Sequence, residues 1–175
     1  MKTALETVCD ALNAKGTQFL LIGGFALPVY GVVRQTADVD YLVSDADDLV
    51  LGEILAAAGY SEKHRAAAFV RYEHPSVYLM DIDIMLVDTD TFTKMHGASA
   101  VHMIGTSRAY VPTLLHLVAL KLHAIRNNPK RELKDLGDIV ELLRENPSTV
   151  STRDLAQTCQ EYGPPGIFEK LESYL

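Results

Sequence analysis

Apolar residues Leu5, Val8 and Leu12 recur with a helical period in residues 3–15, and Gly16 follows where a C-terminal cap belongs. Phe19 to Ile22 is a continuous apolar run that enters Gly23-Gly24, which predicts a buried strand and a turn. Phe25 to Tyr30 has helical character, with Pro28 tolerable in a first turn and Gly31 ending it. Val39, Tyr41 and Val43 alternate with Asp38, Asp40 and Leu42, the period of a strand. The acidic run Ser44 to Asp48 suits a helix N-terminus, and residues 49–58 form that helix up to Gly59. Two antiparallel strands are expected at Ala68 to Glu73 and Val77 to Val87, joined by His74-Pro75-Ser76. A short helix from Asp90 to His96 and a strand from Val101 to Ile104 precede the helix start at Pro112-Thr113. Four helices follow: Leu114 to Arg126, Glu132 to Glu145, Thr152 to Tyr162 and Gly166 to Leu175.

Mixed elements first and helices afterwards, without an alternating βαβ series, argue for an α/β (α+β) protein rather than a Rossmann fold. A chain of 175 residues with 48% apolar content supports one well-filled core. Residues 1–111 are therefore expected to form the core, and residues 112–175 a helical region packed on it as part of a single structural unit. The net charge of −7 disfavours a generally basic, nucleic-acid-coating surface. Cys9 and Cys159 have no metal or disulfide spacing, the N-terminus lacks the apolar run of a signal peptide, and no segment is long and apolar enough to cross a membrane. The cytoplasm is the expected compartment. The six histidines form no HExxH pattern, and neither a GxSxG nor a Walker loop occurs.

Two residues apart on one strand, Asp38 and Asp40 project from the same face. Adjacent like charges need compensation, and hard carboxylate oxygens favour magnesium. Asp81 and Asp83 interrupt the apolar run Met80 to Leu86; they either line a wet edge face or complete a three-carboxylate cluster with Asp38 and Asp40. Gly23 and Gly24 allow close backbone approach and can cradle phosphate oxygens, although a strand-to-helix turn uses glycine in any case. Arg34 and Thr36 are candidates to hold a triphosphate or to serve as solvated linker residues. Lys121 lies beside the apolar face of its helix, within reach of a phosphate, whereas Lys134, Asp135 and Asp138 read more readily as internal ion pairs.

The stretch GGFALPVYGVVRQTADVDYLV resembles the opening motif of the nucleotidyltransferase superfamily, with a third aspartate on a later strand. It is most similar to the AbiEii-like branch and its minimal, DUF-type relatives. In that branch GGxA, then G, R and T, then DxD are followed by KLxA and KDxxD, here Lys121 to Ala124 and Lys134 to Asp138. The resemblance implies a polymerase-beta-like fold, a mixed sheet flanked by helices, and transfer of a nucleoside monophosphate from a nucleoside triphosphate to a hydroxyl. It implies Asp38, Asp40 and Asp83 as ligands of magnesium or manganese and as the catalytic carboxylates. Asp83 is preferred to Asp81 as the third acid because Ile-Met-Leu follows it. Gly23, Gly24, Arg34, Thr36 and Lys121 then bind nucleotide. The acceptor is left open among RNA, protein and a small, antibiotic-like molecule, as is a toxin role alongside a cognate antitoxin. A catalytically silent nucleotide- or partner-binding protein is the alternative. Gly24 departs from the serine that polymerase-like members often carry there.

Overall fold

The computed structural model describes residues 3–175, which fall into two compact units. The first comprises the chain up to Ala26 together with Arg34–Pro112. It begins with helix α1, Ala4–Lys15, started by a reciprocal cap in which the Thr3 hydroxyl accepts the Glu6 N–H at 3.2 Å and the Glu6 carboxylate accepts the Thr3 N–H at 3.0 Å. Gly16, with φ +70°, closes it. Strand β1 is Leu20–Ile22, followed by α2, Gly23–Ala26, and β2, Asp38–Ser44. Helix α3, Asp48–Ala57, then leads to strands β3, Ser61–Ala66, β4, Phe69–Glu73, and β5, Asp81–Val87. Helix α4, Thr89–Gly97, and a hairpin of β6, Ala100–Ile104, with β7, Ser107–Val111, complete the unit.

The main sheet has the order β1-β2-β5-β4-β3. Only β2 and β5 run parallel; the other pairs are antiparallel, so the sheet is mixed. On β2, Val39, Tyr41 and Val43 are fully buried on one face. The Tyr41 hydroxyl donates to the Leu5 carbonyl at 3.3 Å and its ring meets Phe19 edge-on with centroids 5.6 Å apart, which fixes α1 against that face. The opposite face therefore carries Asp38 and Asp40.

The second unit comprises Leu27–Val33 and Thr113–Leu175. A 3-10 turn at Leu27–Tyr30 has Pro28 at its second position, and Gly31, with φ +82°, ends it. The helices are α5, Leu114–Asn127, α6, Glu132–Glu145, α7, Thr152–Tyr162, and α8, Ile167–Glu172. Val118, Leu122 and Ile125 of α5 pack with Leu136 and Ile139 of α6, Leu155 of α7 and Leu171 of α8. The Asn146 side chain donates to the carbonyls of Tyr30 at 2.8 Å and Leu142 at 2.9 Å, tying the turn to the end of α6.

Three strands differ from expectation. The strand expected from Val77 begins at Asp81, because the His74 ring accepts the Ser76 N–H at 2.9 Å and Leu79 N–H bonds the Ser76 carbonyl, holding the intervening residues as a turn with Val77 and Tyr78 exposed. Strand β3 was not expected, since Ser-Glu-Lys-His-Arg-Ala has no apolar alternation; it is the sheet edge, every residue is exposed, and its charges suit such an edge. Strand β7 was also unforeseen and pairs with β6 throughout. Among the described residues no helix is long and apolar enough to cross a membrane.

Candidate active site

The parallel pairing of β2 with β5 sets Asp38 opposite Asp81 and Asp40 opposite Asp83. Asp38, Asp40 and Asp83 each offer one carboxylate oxygen, and these oxygens lie within 4.8 Å of one another. Asp81 is outside this group. Asp83 is buried, whereas Asp38 and Asp40 are half-buried, so the cluster has a dry floor and a more open rim.

Local backbone shape holds two of the three acids. Gly23 has φ +62°, and a Cβ there would stand 1.9 Å from Asp40 Oδ2, so the Asp40 carboxylate rests in space that only glycine leaves. A Cβ at Gly24 would stand 2.7 Å from the Thr36 Cβ. Thr36 in turn donates its hydroxyl to Asp38 Oδ1 at 2.9 Å. The glycine pair thus allows the turn to lie directly on Asp40 and on the residue that orients Asp38. In the same linker Arg34 Nη1 donates to the Gln35 carbonyl at 2.9 Å.

Arg71 of β4, absent from the residues that the sequence motif singles out, reaches the cluster from the other side. Its register partner is Asp83, so strand pairing alone brings the two together. Nε donates to Asp83 Oδ1 at 2.7 Å and Nη2 to Oδ2 at 2.5 Å, and Nη2 also stands 3.5 Å from Asp38 Oδ2. The hydrogen bonds to Asp83 hold this guanidinium even more firmly protonated than an ordinary arginine. A one-in-two spacing in Phe69-Val-Arg71-Tyr-Glu73 puts Arg71 on one face with Phe69 and Glu73, but its partner depends on a register that no local pattern contains.

Lys121 lies in the helical unit. Its ammonium stands 2.5 Å from Asp138 Oδ2 and 3.4 Å from Asp135 Oδ1, and Arg131 Nε bonds the other Asp135 oxygen at 2.8 Å. All three of Lys121, Asp135 and Asp138 are buried. Lys121 and Arg131 are thus basic partners of these two acids, while Lys134 is exposed.

The three clustered carboxylates fit a small, hard divalent cation: they offer oxygen ligands only, they converge from two adjacent strands, and Arg71 offsets a single negative charge among three acids.

The sequence profile of the uncharacterised nucleotidyltransferase family matches residues 1–167, and the chain belongs to that family. It is an enzyme of the nucleotidyltransferase type. The solution structure of the antibiotic-resistance factor ANT(2'')-Ia is similar with a TM-score of 0.70 at 11% identity, over 98% of this chain and 94% of that one. The lincomycin-bound lincosamide antibiotic adenylyltransferase LnuA gives a TM-score of 0.58 at 14% identity, over 79% of this chain and 94% of that one. An antigenic nucleotidyltransferase-like protein from Paracoccidioides brasiliensis gives 0.58 at 17% identity, over 96% of this chain and 90% of that one. At these identities the likeness speaks for a shared nucleotidyltransferase fold. No curated protein sequence matches the chain.

Proposed function

We propose that the protein transfers a nucleoside monophosphate from a nucleoside triphosphate to a hydroxyl of a small cationic molecule, with Asp38, Asp40 and Asp83 as ligands of magnesium or manganese. The observation that carries this reading is the convergence of the three carboxylate oxygens within 4.8 Å in a chain of this family. A divalent cation bound there polarises the phosphoryl oxygens and offsets the charge that develops on them. Thr36 and Gly23 keep Asp38 and Asp40 oriented, and Asp83 also accepts the proton of the attacking hydroxyl. In this reading the backbone of Gly23-Gly24 and the Arg34 guanidinium hold the triphosphate. Lys121 enters as a residue that orders the helical unit, since its ion pairs must open before it can touch phosphate.

A small acceptor is supported by the fold shared with enzymes that act on antibiotics and by the net charge of −7, which favours a cationic partner. The resemblance to the AbiEii-like branch favours a second reading, in which RNA or protein is the acceptor and a cognate antitoxin accompanies the enzyme. Buried, unpaired Cys9 and Cys159 agree with a reducing cytoplasm.

Each α-labelled nucleoside triphosphate, with magnesium and separate pools of aminoglycosides and lincosamides, transfer RNA and total protein, tests these readings. Label in a small cation, lost in Asp38→Ala, is the expected result. Label confined to RNA or protein selects the second reading. Magnesium-dependent nucleotide binding without transfer to any pool would leave a silent binding protein.

A further inference from the structure

The pairing of Arg71 with Asp83 has consequences beyond holding the sheet together. Both oxygens of Asp83 are engaged by one guanidinium, and the same Nη2 leans toward Asp38. The pair is unequal in exposure. Asp83 is a buried residue of a central strand, with its side chain 9% exposed, whereas the Arg71 side chain is 38% exposed and lies on the solvent side of the pair. A planar guanidinium fork matches phosphate as well as it matches carboxylate.

From this geometry we infer that Arg71 is a resident counter-ion of the acidic site and changes partner during the reaction cycle. It opposes a cation while it sits on Asp83, and it passes to the phosphates of the nucleoside triphosphate as the carboxylate turns to the metal. The inference rests on the metal reading of Asp38, Asp40 and Asp83. Arg71 acts on the metal through Asp83, so it is a positioning residue toward the cation and a direct contact toward the nucleotide. Its removal has opposite effects on the two ligands. The divalent cation gains affinity, because a positive charge leaves its neighbourhood, and the nucleotide loses affinity, because a phosphate contact is gone. A residue that merely braces the site would weaken both.

The test is two titrations on wild type, Arg71→Met, Arg71→Gln and Asp40→Asn. Free Mn2+ is followed by electron paramagnetic resonance without nucleotide, and the four fluorescent mant-nucleoside triphosphates are titrated at saturating magnesium. For Arg71→Met we expect Mn2+ to bind at least about tenfold more tightly than to wild type, from removal of a unit charge within a few ångströms of a divalent ion. We expect the preferred nucleotide to bind about tenfold more weakly, from loss of one charge-assisted contact. Arg71→Gln repeats the comparison with a polar side chain should the methionine variant fail to fold. Weakening of both ligands, or absence of either change, overturns the inference. Mn2+ affinity indifferent to Asp40→Asn would overturn the metal reading itself, and the role of Arg71 with it.

Discussion

Replacing Gly23 by alanine perturbs the site at the point where backbone and carboxylate are closest. The native φ of +62° is left-handed, which costs a residue with a Cβ about 1–2 kcal/mol. The new methyl would also stand 1.9 Å from Asp40 Oδ2, 2.4 Å from its Cγ and 2.8 Å from its Cβ, so the acid must move or the turn must open. Overpacking of this kind costs about 1–3 kcal/mol, giving a total of about 2–5 kcal/mol. The two contributions separate in an Asp40→Ala background. There the carboxylate contacts vanish and a single contact at 2.8 Å persists, so the cost of Gly23→Ala should fall toward the backbone part alone, about 1–2 kcal/mol. Urea unfolding of the four proteins, followed by circular dichroism, gives both costs. A cost that is negligible, or that is undiminished in the Asp40→Ala background, would refute the contact between the glycine turn and Asp40.

Lys121→Met removes the ammonium shared by two buried carboxylates and should destabilise the helical unit by about 3–5 kcal/mol in thermal or urea unfolding; a change below about 1 kcal/mol would contradict the buried network. Gly137 stands in the middle of α6, and a Cβ there would meet nothing within 4 Å, so Gly137→Ala should stabilise the protein by about 1 kcal/mol in the same assay. Hydrogen bonds from the Thr3 and Thr106 backbones, helped by the Thr106 hydroxyl, hold the Glu6 carboxyl at about 2 against an ordinary 4.5. Because the folded value is depressed, this contribution is complete above pH 4.5 and is lost as pH falls toward 2. Urea midpoints measured across that range should fall less steeply with acid in Glu6→Gln than in wild type, and parallel curves would count against the assignment.

The parts of the fold that sequence made visible are those whose cause is local. Helical periodicity placed α1, α5 and α7 to within a residue or two, and the structure adds the capping side chains of Thr3, Thr113 and Ser151 at their starts. Alternation around Tyr41 placed β2 and put Asp38 and Asp40 on one face. The unseen parts depend on partners distant in the chain. The strand β3 is stabilised by pairing with β4, which its own polar residues do not announce. Val77 and Tyr78 have strand-forming side chains and yet sit exposed in a turn, because hydrogen bonds around His74 and Ser76 decide the local path. The same division holds at the site. The DxD spacing and the glycine pair were legible, whereas the use of Gly23 to seat Asp40, of Thr36 to orient Asp38 and of Arg71 to hold Asp83 follows from tertiary approach and strand register. Lys121 was legible as a lysine beside an apolar face, but its two buried acid partners come from the next helix.

Nucleotidyl transfer as proposed depends on a cation held jointly by Asp38, Asp40 and Asp83. A crystal grown with Mn2+ and a non-hydrolysable nucleoside triphosphate analogue, with data collected at the manganese absorption edge, tests it most directly. An anomalous peak within coordination distance of a carboxylate oxygen from each of the three aspartates, beside the bound analogue, is the expected result. A nucleotide bound with no manganese at these three residues, or with the metal held elsewhere, would contradict it.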